Sequence, residues 1–347
     1  MGSAAAPQLA WLMQPLTPWL ADPTTEEVCI NGPGAAFVRQ GGAFTRYDLA
    51  LDEDDLEDLA ILAGALRGQD VGSRNPLCST ELPGGERLQV VLPPATPSGF
   101  PSLTIRKPGG SVSALSDATQ RYRLDRWNRW SERGAATRQD RAELLALYDA
   151  GNIEAFLEAA VRARLNILLC GATGSGKTTM SKTLMTAIAS EDRIITIEDT
   201  LELHVPQPNH VRLLYSKGAL SSADVGAESL LEASLRMRPD RVFLQELRDP
   251  AAAYVYINEV MTGHPGSLTT IHGRDAPQAF KRLFNLIKGS DKGAHYADQT
   301  LIDMLDGAID LIVPFHNQGS IFEIGEVWFA AEAARRGESC SALLRMT

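Results

Sequence analysis

Residues Leu165-Asn166-Ile167-Leu168-Leu169-Cys170-Gly171-Ala172-Thr173-Gly174-Ser175-Gly176-Lys177-Thr178 decide the fold. An apolar run suited to a buried strand passes into the pattern G-x-x-x-x-G-K-[ST], and Thr179 to Ile188 then place apolar residues at helical spacing without Pro or Gly. A strand, a glycine-rich turn and a helix in that order make a phosphate-binding loop. Glycines let successive backbone N–H groups point at phosphate oxygens, and the helix N-terminus adds partial positive charge. Gly171, Thr173, Gly174, Ser175, Gly176, Lys177, Thr178 and Thr179 are therefore candidate nucleotide contacts. Lys177 is placed for the β- and γ-phosphates, and Thr178 for Mg²⁺.

Outward from the loop, helices and apolar strands alternate: helix 153–163, strand 165–170, strand 193–197, helix 227–237, strand 241–245, helix 250–261 and strand 267–271. That order predicts an α/β domain over 151–347, with a mostly parallel sheet flanked by helices. The first hundred residues read differently. Glu27–Asn31 and Ala36–Arg39 flank Gly32-Pro33-Gly34 as a hairpin, 52–66 reads as a helix, and 85–92 and 103–106 read as strands. A small α+β domain over 1–108 follows, with 109–150 as an interdomain linker. Arg121-Tyr122-Arg123-Leu124-Asp125-Arg126-Trp127-Asn128-Arg129-Trp130 mixes cations and aromatics as single-stranded nucleic-acid sites do, but reads better as a linker helix that packs its Trp side chains.

A length of 347 residues suits two domains, and a net charge of -10 argues against direct nucleic-acid binding, whose affinity comes largely from cations on phosphates. The four cysteines are scattered without a C-x-x-C pair, as in reduced cytosolic proteins. No apolar run approaches the roughly 18 residues of a membrane span, and no signal peptide is apparent. A cytoplasmic location is expected.

Three further segments carry chemistry. Arg193-Ile194-Ile195-Thr196-Ile197-Glu198-Asp199 is a β-branched strand ending in carboxylates, at the edge where open parallel sheets bind ligands. Glu198 is a candidate general base toward the attacking water, with helix capping as the alternative for this segment. Val242-Phe243-Leu244-Gln245-Glu246 ends likewise, so Glu246 either holds the Mg²⁺ hydration shell or forms a strand-end ion pair with Arg248. His272 closes the strand after Gly263-His264-Pro265-Gly266-Ser267 and could report the γ-phosphate through a hydrogen bond. Arg87 and Arg106, on strands of the first domain, either reach a phosphate bidentately or are ordinary edge-strand cations.

Taken together, Gly171 to Thr179, Thr196-Ile197-Glu198-Asp199, Leu235 to Arg241, Glu246-Leu247-Arg248 and Gly263 to Ser267 resemble the Walker A, aspartate, Walker B and histidine boxes of bacterial secretion ATPases. Glu27 to Asn31, Leu82 to Gln89, Thr104 to Pro108 and Gly325 to Trp328 narrow the likeness to the VirB-type traffic ATPases of type IV secretion. The resemblance implies a RecA-like ATPase domain and a homo-hexamer. It implies ATP and Mg²⁺ as ligands, and partners among secretion components at the cytoplasmic face of the inner membrane, with peripheral membrane association. By motif it gives Lys177 and Thr178 the phosphate and Mg²⁺ contacts, Glu198 the base, Glu246 the Walker B carboxylate, His272 the sensor, and Arg87 with Arg106 the N-terminal phosphate contacts. Powering of secretion or conjugation through ATP hydrolysis is the implied function. A pilus-retraction or tight-adherence motor, a nucleic-acid translocase and a nucleotide-gated scaffold are the alternatives. Two residues depart from the family pattern: Gln245 precedes the Walker B glutamate where a small residue is usual, and Ala251 stands where an acid is common.

Overall fold

The computed structural model describes residues 2–109, 138–216, 223–319 and 321–345. The segment Arg121 to Trp130 lies outside them. The first domain is built on β1 (Thr25–Ile30), β2 (Ala35–Gln40), β3 (Ala43–Asp48), β4 (Leu77–Glu81), β5 (Arg87–Val91) and β6 (Ser102–Arg106), in the sheet order β3-β2-β1-β6-β5-β4. Every neighbouring pair is antiparallel. The hairpin expected around Gly32-Pro33-Gly34 joins β1 to β2. Helix Glu53–Leu66 starts at a capping box between Asp52 and Asp55, and buries Leu56, Leu59, Ala60 and Ala63. These pack with Val28, Val38, Leu88 and Ile105 of the sheet into one core, each large apolar side chain contributing about 1.5–3 kcal/mol.

In the second domain, β7 (Ile167–Gly171), β8 (Ile194–Glu198), β9 (His210–Leu214), β10 (Arg241–Leu244), β11 (Leu268–Ile271) and β12 (Leu311–Gln318) form the parallel order β12-β7-β11-β10-β8-β9. β13 (Ile321–Ile324) and β14 (Trp328–Phe329) pair antiparallel with β12. Both faces are covered, as a parallel sheet requires. Because side chains alternate along a strand, Ile167 and Leu169 join helices Ile153–Arg162 and Lys177–Met185, whereas Leu168 and Cys170 join the opposite layer with Leu230, Ala253, Phe280 and Leu305. The expected helix 250–261 is α-helical only over Pro250–Val255 and continues as a π-helix over Tyr256–Met261. No helix among the described residues is long and apolar enough to cross a membrane.

Helix Arg138–Asp149, within the segment expected as an interdomain linker, packs on the second domain. Leu144 is buried in the same cluster as Phe156 and Val161, Tyr148 Oη donates to the Val327 carbonyl at 2.8 Å, and Asp149 pairs with Arg335 at 2.7 Å. Apolar packing thus joins this helix to the second domain, because Leu144 and Tyr148 fall on one face of a helix within an otherwise polar stretch.

A row of polar side chains ties the amino ends of the parallel strands together. Asn166 Nδ2 donates to the Met261 and Ala308 carbonyls, and its Oδ1 accepts the Gly266 and Ser267 amides, all within 2.8–3.3 Å. Asp192 pairs with both Arg164 and Arg241. Arg193, fully buried, donates to the Met237 carbonyl at 2.9 Å and crosses the domain boundary to Asn31 Oδ1 at 2.8 Å. The first domain also covers the β9 edge: the Leu214 amide donates to the Ala95 carbonyl at 2.8 Å, and Val91 and Ala95 enter the second domain's core.

Candidate active site

The turn after β7 needs its glycines. Gly174 and Gly176 adopt φ of +74° and +91°, a region costly for residues with a Cβ. At Gly171, a Cβ would come within 2.5 Å of the Phe315 carbonyl and 2.3 Å of Ser175 Oγ. Lys177 opens the following helix with its ammonium largely buried, donating to the Gly171 and Ala172 carbonyls at 2.8 Å each. Burial pushes this ammonium below its usual value, while Glu246 pulls it back up. Ser175 Oγ is buried without a hydrogen-bond partner among the described residues. An unsatisfied hydroxyl beside a caged lysine in a Cβ-free cradle suits a phosphate, which accepts bonds from both. Thr178 is half-buried, and Thr173, Gly174 and Thr179 are exposed. A surface cavity of about 630 Å³ adjoins the loop, lined by Ala172, Thr173, Gly273, Arg274, Phe315 and His316. From the far edge, Asn317 Nδ2 donates to the Gly174 carbonyl at 3.0 Å.

Parallel strands put their carboxyl ends on one edge, so the order β7-β11-β10-β8 sets the P-loop, His272, Glu246 and Glu198 side by side. His272 Nε2 lies 2.8 Å from Glu246 Oε1, close but off the line of a hydrogen bond, since that oxygen has no aligned donor. Arg248 Nη1 approaches the other oxygen at 3.5 Å, so the strand-end ion pair is present as well. Glu246 remains partly open, its side chain 18% exposed.

Glu198 is placed differently. It is wholly buried, and its carboxylate accepts from Thr196 Oγ1 at 2.8 Å, the Glu202 and Leu203 amides at 2.8 and 2.7 Å, and Arg212 at 3.1 and 3.2 Å. A carboxylate whose two oxygens carry five donors has no lone pair free for a water proton in this conformation, so the expected role of Glu198 as base would require those bonds to open. It instead fixes the loop after β8. Gln245, which departs from the family pattern, does similar work from β10: its Oε1 accepts the Asp199 amide at 3.0 Å and its Nε2 donates to Glu202 at 3.1 Å. At the other departure, helix Pro250–Val255 is capped by Asp249, which accepts from the Ala252 amide at 2.8 Å, so Ala251 leaves the helix start satisfied.

Arg87 and Arg106 stand opposite one another on β5 and β6, both exposed. They line a 580 Å³ groove with Arg67, Leu235 and Arg236, and no P-loop residue lines it among the described residues. Among the described residues, these two arginines and the P-loop line different cavities.

Residues 137–314 match the family model of type II/IV secretion system proteins. VirB11 of Agrobacterium fabrum is 60% identical over 338 residues, spanning 97% of this chain and 98% of the relative. VirB11 of Brucella suis biovar 1 is 38% identical over 330 residues, spanning 93% and 90%. The crystal structure of the VirB11 ATPase from the Brucella suis type IV secretion system, in complex with sulphate, matches with a TM-score of 0.89 at 36% identity, covering 98% of this chain and 99% of that one. Because the likeness runs through both domains and not the phosphate loop alone, the chain belongs to the VirB11 family of type IV secretion ATPases.

Proposed function

We propose that the chain is the homo-hexameric motor of a type IV secretion or conjugation system, docked peripherally on other secretion components at the cytoplasmic face of the inner membrane. The observation that carries the chemistry is the convergence of Lys177, His272 and Glu246 on one sheet edge. Lys177 exchanges its two carbonyl partners for β- and γ-phosphate oxygens, Ser175 Oγ gains the acceptor it lacks, and the P-loop amides bind what remains. Thr178 and, through water, Glu246 would hold Mg²⁺, which neutralises charge on the transferred phosphoryl group. Glu246 takes the water-orienting role, being the open carboxylate beside Lys177. His272, against Glu246, signals the γ-phosphate to that strand. Glu198 holds the loop between them in place.

Arg87 and Arg106 support a ring. Facing Leu235 and Arg236 rather than Ala172 and Thr173, they act on a nucleotide bound by a neighbouring copy. Mixing tests this. Lys177→Ala and Arg106→Ala, each inactive alone, regain ATP hydrolysis when mixed if Arg106 works across the interface. No recovery at any ratio refutes the assignment in trans.

A further inference from the structure

Glu27 sits in a row of charges fixed by strand register. Across the antiparallel ladder, Arg87 of β5 faces Arg106 of β6, which in turn faces Glu27 of β1. Beyond Glu27 the row continues into the second domain: Arg238 Nε lies 3.3 Å from Glu27 Oε2, while Arg106 Nε lies 3.8 Å from Oε1. Arg238 reaches this place from a left-handed backbone conformation, φ 58°, just before Pro239. That geometry is uncommon for a residue with a Cβ. Arg39, the remaining neighbour in register, is engaged by Glu26.

Glu27 is 5% exposed, and its Oε2 has no aligned hydrogen-bond donor among the described residues. A buried carboxylate with two arginines at loose distances is under-satisfied, and its energy falls as either one closes on it. Burial raises its carboxyl above the ordinary value, with Arg238 the strongest opposing influence and Arg106 second. Arg106 itself is 66% exposed, its guanidinium open to the groove. Two domains therefore compete for one anion.

We propose that Glu27 is a positioning residue that holds Arg106 as a resident counter-ion until a nucleotide phosphate takes that arginine. Glu27 then closes on Arg238 and tightens the contact between the two domains of its own chain. The inference rests on the phosphate role proposed above for Arg106. With Arg106 acting across the ring, a triphosphate bound in one copy thereby stiffens the domain boundary of the next.

The test is equilibrium binding of a fluorescent, non-hydrolysable ATP analogue with Mg²⁺ to the assembled full-length protein. Glu27→Gln frees Arg106 and tightens binding at least threefold. Arg238→Gln leaves the carboxylate to Arg106 alone and weakens binding at least threefold. A purely structural defect would move both in the same direction. In the Arg106→Ala background, both effects vanish. Same-direction shifts, or effects that persist without Arg106, overturn the proposal. If Arg106→Ala alone leaves affinity unchanged, the phosphate role of Arg106 fails first and the proposal falls with it; if it weakens binding while Glu27→Gln changes nothing, only the proposal fails. Should Glu27→Gln not fold, Arg238→Gln with and without Arg106→Ala carries the same test.

Discussion

Gln245 accepts the amide of Asp199 at 3.0 Å, so the ends of β10 and β8 are joined by one side chain directly beside the Walker B carboxylate. Its Nε2 continues to Glu202 at 3.1 Å, and its carbonyl accepts from Thr270 Oγ1 at 2.8 Å, which brings β11 into the same connection. A residue that departs from the family pattern thus sets the spacing of the site. Gln245→Ala removes both side-chain bonds and leaves the carbonyl. Its expected effect is a several-fold fall in kcat with little change in nucleotide KM, since Glu246 loses alignment while the P-loop stays intact. Steady-state hydrolysis separates the two constants; an unchanged kcat would show that the bridge is incidental.

Lys177→Ala removes the cation that faces the phosphates, and hydrolysis should drop by about 100-fold or more. Turnover at the parent rate would refute the phosphate assignment.

Glu246→Gln should bind nucleotide yet turn over at least about 100-fold more slowly. Glu198→Gln should behave differently, because it weakens the pair between this buried carboxylate and the partly exposed Arg212. Its main effect is lost stability of about 1–3 kcal/mol, seen in denaturant unfolding. Unchanged stability together with a loss of turnover at Glu198→Gln would return the base to Glu198.

Gly171→Ala places a Cβ against the Phe315 carbonyl at 2.5 Å, backbone that has no rotamer to yield. Destabilisation of about 1–3 kcal/mol is expected, with weakened nucleotide affinity as β12 shifts from the loop. Thermal unfolding and analogue binding measure the two; parent values in both would show that the loop relaxes freely.

His210 gives a pH dependence. Burial lowers its imidazole below the ordinary value, and its Nδ1 lies 2.7 Å from the Gln207 carbonyl. The folded state therefore takes up its proton less readily than the unfolded chain. The stability tied to a neutral His210 is fully present above about pH 6.5 and is lost as pH falls below it. Thermal midpoints between pH 7.5 and 5.5 should decline less steeply in His210→Gln. An identical slope would assign the decline to other groups.

The phosphate loop and the strands feeding it were legible because a local motif specifies them, and β8, β10 and β11 because short runs rich in apolar and β-branched residues mark strands buried on both faces. The edges were not. β3 is exposed at nearly every position, which erases the alternation that marks a half-buried strand. β9 follows Pro206 and Pro208 and alternates His210, Arg212 and Leu214 with buried Val211 and Leu213 over only five residues. That missed strand explains the reading of Glu198. Thr196 lies in register with Arg212, so the cation that pairs with the carboxylate arrives through long-range strand pairing, which local spacing does not reveal. Arg87 and Arg106 were found as strand arginines, but which loop they face depends on how the domains sit.

Asn166 gives the amino edge of the sheet a single shared anchor. Its four bonds join the π-helical turn, the histidine-box loop and the end of helix Asp298–Ala308 to the start of β7. The strand ends that carry Lys177, Glu246 and His272 lie at the opposite edge, so the phosphate loop hangs from a frame whose far side is pinned by one amide side chain.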